Sequence, residues 1–100
     1  MIARVWRGCA ADLQRAAAYF SHLERNVVPE LQQIAGYRGV RALRREEGSR
    51  VEVVVMTFWD SMAAVRSFAG SDPEKAVVEP EARAVLAEFD DFVRHYEVER

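Results

Sequence analysis

The run Val51-Glu52-Val53-Val54-Val55-Met56-Thr57-Phe58 constrains this chain most. Its β-branched and aromatic residues favour an extended backbone, in which successive side chains point to opposite faces. Val51, Val53 and Val55 then share one face, and Val54, Met56 and Phe58 the other. A strand wetted on one side alternates apolar with polar residues, whereas a strand apolar on both must be covered on both. Any fold for this chain therefore has to bring apolar surface to two sides of one strand.

The rest of the chain supplies the layers. Residues 2–8 read as a first strand, with Ile2, Arg4 and Trp6 on one face and Ala3, Val5 and Arg7 on the other. Asp12 is placed to cap a helix, whose apolar stripe runs Leu13, Ala16, Phe20, Leu23, Val27, Leu31 and Ile34. Pro29 falls within it and is expected to kink the helix or start a second short one, because it has no backbone donor; Gly36 supplies a stop. Residues 37–46 read as a second strand, joined to the third by a turn at Glu47-Gly48-Ser49. Asp60 is expected to cap a helix carrying Met62, Val65, Phe68 and Ala69 and stopped by Gly70. Asp72-Pro73 predicts a short helix. Pro80 opens another, with Ala82, Val85, Leu86 and Phe89 as its buried face. Residues 92–98 predict the last strand, with Phe92, Tyr96 and Val98 opposite Val93 and His95.

The order β-α-β-β-α-β predicts an α+β, ferredoxin-like domain over residues 1–100. Its four-stranded antiparallel sheet carries helices on one face. The helices cover one side of the third strand and leave the other apolar side open. A second copy, sheet against sheet, is the simplest cover, which predicts a homodimer through the open sheet face.

Composition removes several function classes. A formal net charge of −2 gives no electrostatic case for nucleic acid. The basic stretch Arg38, Arg41, Arg44 and Arg45 runs straight into Glu46 and Glu47, as a solvated strand or an intersubunit ion pair would. The lone Cys9 cannot form an internal disulfide and points to a reducing, cytoplasmic setting; without a nearby base it reads as inert. No stretch reaches the roughly 18 apolar residues of a membrane helix, and the N-terminus lacks a signal-peptide core. The two histidines and one cysteine show no metal-ligand spacing. There is no glycine-rich phosphate loop, so no metal or other cofactor is expected.

Four passages carry a family resemblance. They are Gly36-Tyr37-Arg38-Gly39, Val55-Met56-Thr57-Phe58-Trp59-Asp60-Ser61, Phe68-Ala69-Gly70-Ser71-Asp72 and His95-Tyr96-Glu97-Val98. Together they cover nearly the whole chain, in order, and resemble the antibiotic biosynthesis monooxygenase-like (ABM) family. The resemblance implies a dimeric α+β barrel with a pocket in each subunit between sheet and helices. Members include cofactor-independent monooxygenases of aromatic polyketides, and relatives on the fold degrade haem. In the polyketide enzymes the tryptophan matched by Trp59 has an asparagine four residues before it and a tyrosine six after; here Val55 and Val65 stand there. The haem-degrading relatives use a histidine in the helical region and an asparagine on the first strand. Residues 72–78 and 2–8 hold neither, which disfavours haem degradation.

Trp59, at the end of the most apolar strand, is a candidate aromatic wall and hydrogen-bond donor for an aromatic ligand. His95 is the candidate base toward a phenol, since imidazole titrates near pH 6.5; a structural or interface role is the alternative. Trp6, Tyr19, Tyr37 and Phe68 are candidate pocket-lining residues, each also explicable as core. His22 is skipped by the helical stripe and is expected at its edge, exposed to solvent. Two readings follow: a cofactor-free monooxygenase of a small aromatic substrate, with His95 and Trp59 as its catalytic residues, or a non-catalytic dimer that binds a small hydrophobic ligand.

Overall fold

In the computed structural model, which describes residues 1–100, the doubly apolar run becomes β3 (Arg50–Trp59). It lies between β1 (Ile2–Ala10) and β2 (Tyr37–Glu47), antiparallel to both. Across the sheet Trp6 faces Val55, and Val55 faces Ala42. Partners in register share a face, so the alternation read in β3 sets the sidedness of the sheet.

Asp12 caps α1 (Leu13–His22), accepting the Arg15 N–H at 2.8 Å. The buried stripe runs through Ala16, Tyr19, His22 and Leu23. It is rotated from the expected one: Leu13 is exposed and Phe20 only half-buried. Pro29 lies at the start of a second short helix, one of the two outcomes expected of it. A π-helical turn (Leu23–Val27) precedes it, and the helix resumes as α2 (Val28–Leu31) with Pro29 in its first turn. The wider turn absorbs a missing donor that an α-helix would expose as a lost bond.

Ser61, not Asp60, caps α3 (Met62–Ala69): Ser61 Oγ accepts the Ala64 N–H at 3.2 Å. Asp60 stands one residue too early; its N–H donates to the Gly36 carbonyl and its carboxylate meets Arg38. The short helix expected at Asp72-Pro73 is a single turn, and the chain there bridges to the last part of the sequence through Lys75 and Phe92. α4 (Pro80–Val85) begins where expected but ends early. Ala87 and Asp90 donate to the carbonyls of Cys9 and Arg7. The open edge of β1 thus claims this segment, since its backbone groups need partners. Phe89 consequently lies in β4 (Glu88–Phe89) and not on a helix, and β5 (Arg94–Glu97) follows after a break.

β4 and β5 lie along one edge of β1 and together occupy the place of the single fourth strand read from the sequence. The sheet order β2-β3-β1 followed by β4 and β5 is ferredoxin-like, with five strands instead of four. The helix-facing side carries two apolar clusters, one around Val51, Val53, Val55 and Tyr19, the other around Trp59, Leu31 and Val65. On the opposite side Val5, Val54, Met56 and Phe58 are half-buried, and Leu43 and Tyr96 are exposed.

Candidate functional site

A cavity of about 190 Å³ lies between the helix-facing side of the sheet and the helices. Arg4 and Trp6 of β1 and Val55 and Thr57 of β3 form its floor. Tyr19 and His22 of α1, Leu31 of α2, Phe68 of α3 and Ala82 of α4 form its walls, with Val78, Glu79 and Val93 also in the lining. Eleven of its sixteen lining residues are hydrophobic, the balance expected of a site for a mostly apolar ligand oriented by a few polar groups.

Of the aromatic residues expected at a pocket, Trp6, Tyr19 and Phe68 line this cavity. Trp6 is fixed by a hydrogen bond from its indole N–H to the Asp90 carbonyl at 2.9 Å, and packs against Tyr19 and Phe89. Tyr37 is not at the cavity. It meets Trp59 edge-on, with ring centroids 5.5 Å apart. Trp59 is fully enclosed and is also absent from the lining. It stacks on Phe68 at 5.5 Å and donates its indole N–H to Thr57 Oγ1 at 2.9 Å, so it holds two lining residues in place from behind.

The break between β4 and β5 shapes one end. Ala76 donates to Asp91 and Glu74 accepts from Val93, which draws residues 73–76 over the sheet. Arg4 reaches this segment from below. Its Nη1 donates to the Pro73 carbonyl and its Nη2 to the Lys75 carbonyl at 2.9 Å. Arg4 is only 4 % exposed, yet it takes part in none of the four salt bridges. Burial pushes the guanidinium down to about 10, which still leaves it charged at neutral pH. A buried cation without an anion is rare.

His95 sits beside it on β5, half-buried, with Nε2 3.0 Å from Arg4 Nη1. An arginine only donates, so Nε2 is the acceptor and the proton rests on Nδ1. Burial and the Arg4 charge hold the imidazole below its ordinary value, with Glu74 opposing. His95 does not itself line the cavity; Arg4 stands between them.

His22 is only 7 % exposed, against the expectation from sequence, and faces the cavity. Its spacing of three from Tyr19 was the available signal, because Tyr19 and not Phe20 defines the buried stripe. Arg4 carried a signal too, a charge between Ile2 and Trp6 on the inward face of a strand.

Residues 12–80 match the model of the family described as antibiotic biosynthesis monooxygenase. The chain belongs to this ABM family. Among solved structures, a presumptive antibiotic biosynthesis monooxygenase from Bacillus cereus superposes on it with a TM-score of 0.65. The alignment covers 99% of the ABM chain and 93% of the other at 16% identity, a likeness of fold. No curated protein matches the chain. Membership supports a monooxygenase-like role in general terms. No helix is long and apolar enough to cross a membrane.

Proposed function

We propose that this ABM chain is a cofactor-independent monooxygenase of a small aromatic or polyphenolic substrate, held in the cavity between sheet and helices. The observation that carries the reading is the pairing of an aromatic-walled cavity with the buried, carboxylate-free Arg4. Trp6, Tyr19 and Phe68 offer faces and edges to an aromatic ring. Arg4 offers a positive charge to an oxygen that becomes anionic.

The phenol oxygen docks on Arg4, one hydrogen-bond step from His95. His95 is the base once its Nε2 leaves Arg4 and takes the phenol proton through one water, since a guanidinium has no lone pair with which to relay it; its lowered proton affinity keeps it neutral near pH 7, in the form that accepts a proton. The phenolate passes an electron to dioxygen and the two radicals combine at a ring carbon. Loss of water from the hydroperoxide leaves a quinone. Phenol plus dioxygen gives quinone plus water, so no external reductant enters. Trp59 acts as a positioning residue through Phe68 and Thr57, and the apolar walls keep water from the intermediates.

Metal-free protein is expected to consume oxygen with a panel of polycyclic phenols and hydroquinones, faster than the buffer alone. His95→Ala should slow it by about 10²–10⁴-fold, the usual contribution of a positioned base. The rate should fall on the acid side below pH 6.5 as His95 gains its proton, and His95→Ala should abolish that limb. Trp59→Phe should slow turnover less. No uptake across the panel, with binding still seen by tryptophan quenching, favours the second reading, a non-catalytic binder of small hydrophobic ligands. Val55 on the cavity floor favours it, since the polyketide enzymes carry an asparagine there.

The proposal includes a homodimer through the open sheet face, where Val5, Val54, Met56 and Phe58 have no cover from their own helices. Burying this face against a second copy removes apolar area from water on both chains. The reducing setting implied by the lone Cys9 makes the cytoplasm the proposed location. In analytical ultracentrifugation the native chain should sediment as a dimer and Val54→Glu as a folded monomer. A monomeric native chain at micromolar concentration would remove the dimer from the proposal.

A further inference from the structure

We infer that His22, Glu79 and Glu81 form a binding site for a divalent transition-metal ion on the wall of the cavity. The inference goes beyond the proposed oxygenation and does not depend on it.

The first observation is an orphaned atom. His22 ends α1, where the helix widens into the π-helical turn, and its Nδ1 lies 2.9 Å from the side-chain amide of Asn26. Its Nε2 is the one buried side-chain nitrogen or oxygen in the chain with no hydrogen-bond partner. Buried polar atoms are almost always paired, so an orphan on a residue that lines the cavity asks for an external partner.

The second observation is what faces it. Glu79 and Glu81 flank Pro80 at the start of α4, and neither takes part in a salt bridge. One ligating atom from each of the three residues lies within 4.8 Å of the other two. Nδ1 is taken by Asn26, which leaves Nε2 as the histidine's ligand atom. Donors around one ion lie about 2.0–2.2 Å from it. A small turn of the glutamate side chains closes that gap, and Glu81 is exposed and free to make it.

The chemistry of the donors selects the ion. One imidazole and two carboxylates suit Mn²⁺, Fe²⁺, Co²⁺ or Zn²⁺ better than Mg²⁺ or Ca²⁺, which prefer an all-oxygen shell. Two carboxylates neutralise a dication. A half-turn of the Asn26 amide places its oxygen against Nδ1–H, which fixes the tautomer that leaves the Nε2 lone pair free for an ion, as orienting partners of metal-bound histidines do. Three protein donors leave coordination positions open. Because His22 and Glu79 line the cavity, an anionic oxygen of a bound ligand would fill them. The sequence hid this site, since its ligands come from α1 and from the start of α4 and only the fold brings them together.

The test is metal titration of chelator-stripped protein, with Zn²⁺ by calorimetry and Co²⁺ by its visible spectrum. The native chain should bind one Zn²⁺. His22→Gln and Glu79→Gln should each weaken binding at least about tenfold, and Cys9→Ser, which removes the thiol among the acidic residues on the far side, should leave it unchanged. Nitrogen NMR should show Zn²⁺ shifting His22 Nε2 and not the ring of His95, a readout that survives even if His22→Gln fails to fold. Absence of saturable binding, equal affinity in Glu79→Gln, or an unmoved His22 resonance would each overturn the site.

Discussion

Trp59→Ala should lower folding stability by about 3–5 kcal/mol, the range for emptying a buried aromatic position. Trp59 is the largest fully buried side chain of the protein. Tyr37 meets it edge-on and Phe68 stacks on it, so removing the indole strips both rings of a partner as well as leaving a void. It also leaves the buried Thr57 hydroxyl without its donor. Against a total stability of about 5–15 kcal/mol for a domain, this is a large fraction. Trp59→Phe should cost clearly less, since it keeps an aromatic ring and loses the hydrogen bond and part of the volume. Urea unfolding followed by far-UV circular dichroism measures both. A Trp59→Ala midpoint within about 1 kcal/mol of the native chain would mean that the clusters around Phe68 and Tyr37 hold without it.

That Trp59 works from behind the cavity and not inside it shows where sequence reading stops. Position along β3 was legible: the alternation of Val51, Val53 and Val55 with Val54, Met56 and Phe58 is a local property of an extended backbone, and it set strand and face. The element order followed, and with it the ferredoxin-like sheet; the family came separately, from the resemblance carried by four passages of the sequence. Trp6, Tyr19, Tyr37 and Phe68 were candidate pocket residues that core packing would also explain; the fold takes the first two and Phe68 to the cavity and Tyr37 to the edge of Trp59.

The misreadings share a cause. They occur where a tertiary partner overrides a local preference. The edge of β1 pulls residues 87–90 out of a helix because the Cys9 and Arg7 carbonyls need donors. The segment after Asp72 stops at a single turn, where pairing with 91–93 and the Arg4 guanidinium take over its backbone groups. Asp60 loses the cap to Ser61 because its backbone is committed to Gly36. His22 was misplaced by a small rotation of one stripe, which moved it from the solvent edge to the cavity wall. Arg4 and His95 touch only because β5 pairs with β1 in a register that sets them opposite each other. Apart from His22, whose spacing from Tyr19 was a signal, these partnerships are not local, so no spacing in the sequence announces them.

Gly36→Ala should destabilise the protein by about 2–5 kcal/mol, although it adds one methyl group. Two costs combine. Gly36 has φ +91°, a conformation that costs an ordinary residue about 1–2 kcal/mol. A Cβ built there would lie 2.5 Å from the Cβ of Ala64, and overpacking of this kind costs about 1–3 kcal/mol. The contact is hard to relax. The Gly36 carbonyl accepts the Asp60 N–H at 2.8 Å, which ties the entry of β2 to the exit of β3, and Ala64 sits in the first turn of α3 above them. Gly48 is the control, because it also has positive φ (+63°) but meets nothing within 4 Å, so Gly48→Ala should cost only the backbone part. A double-mutant cycle separates the two costs. Ala64→Gly alone should lose about 1 kcal/mol as a glycine in a helix, but combined with Gly36→Ala it should recover about 1–3 kcal/mol by removing the collision. A coupling near zero would mean that α3 slides away from Gly36 freely, and then backbone conformation alone would account for the glycine.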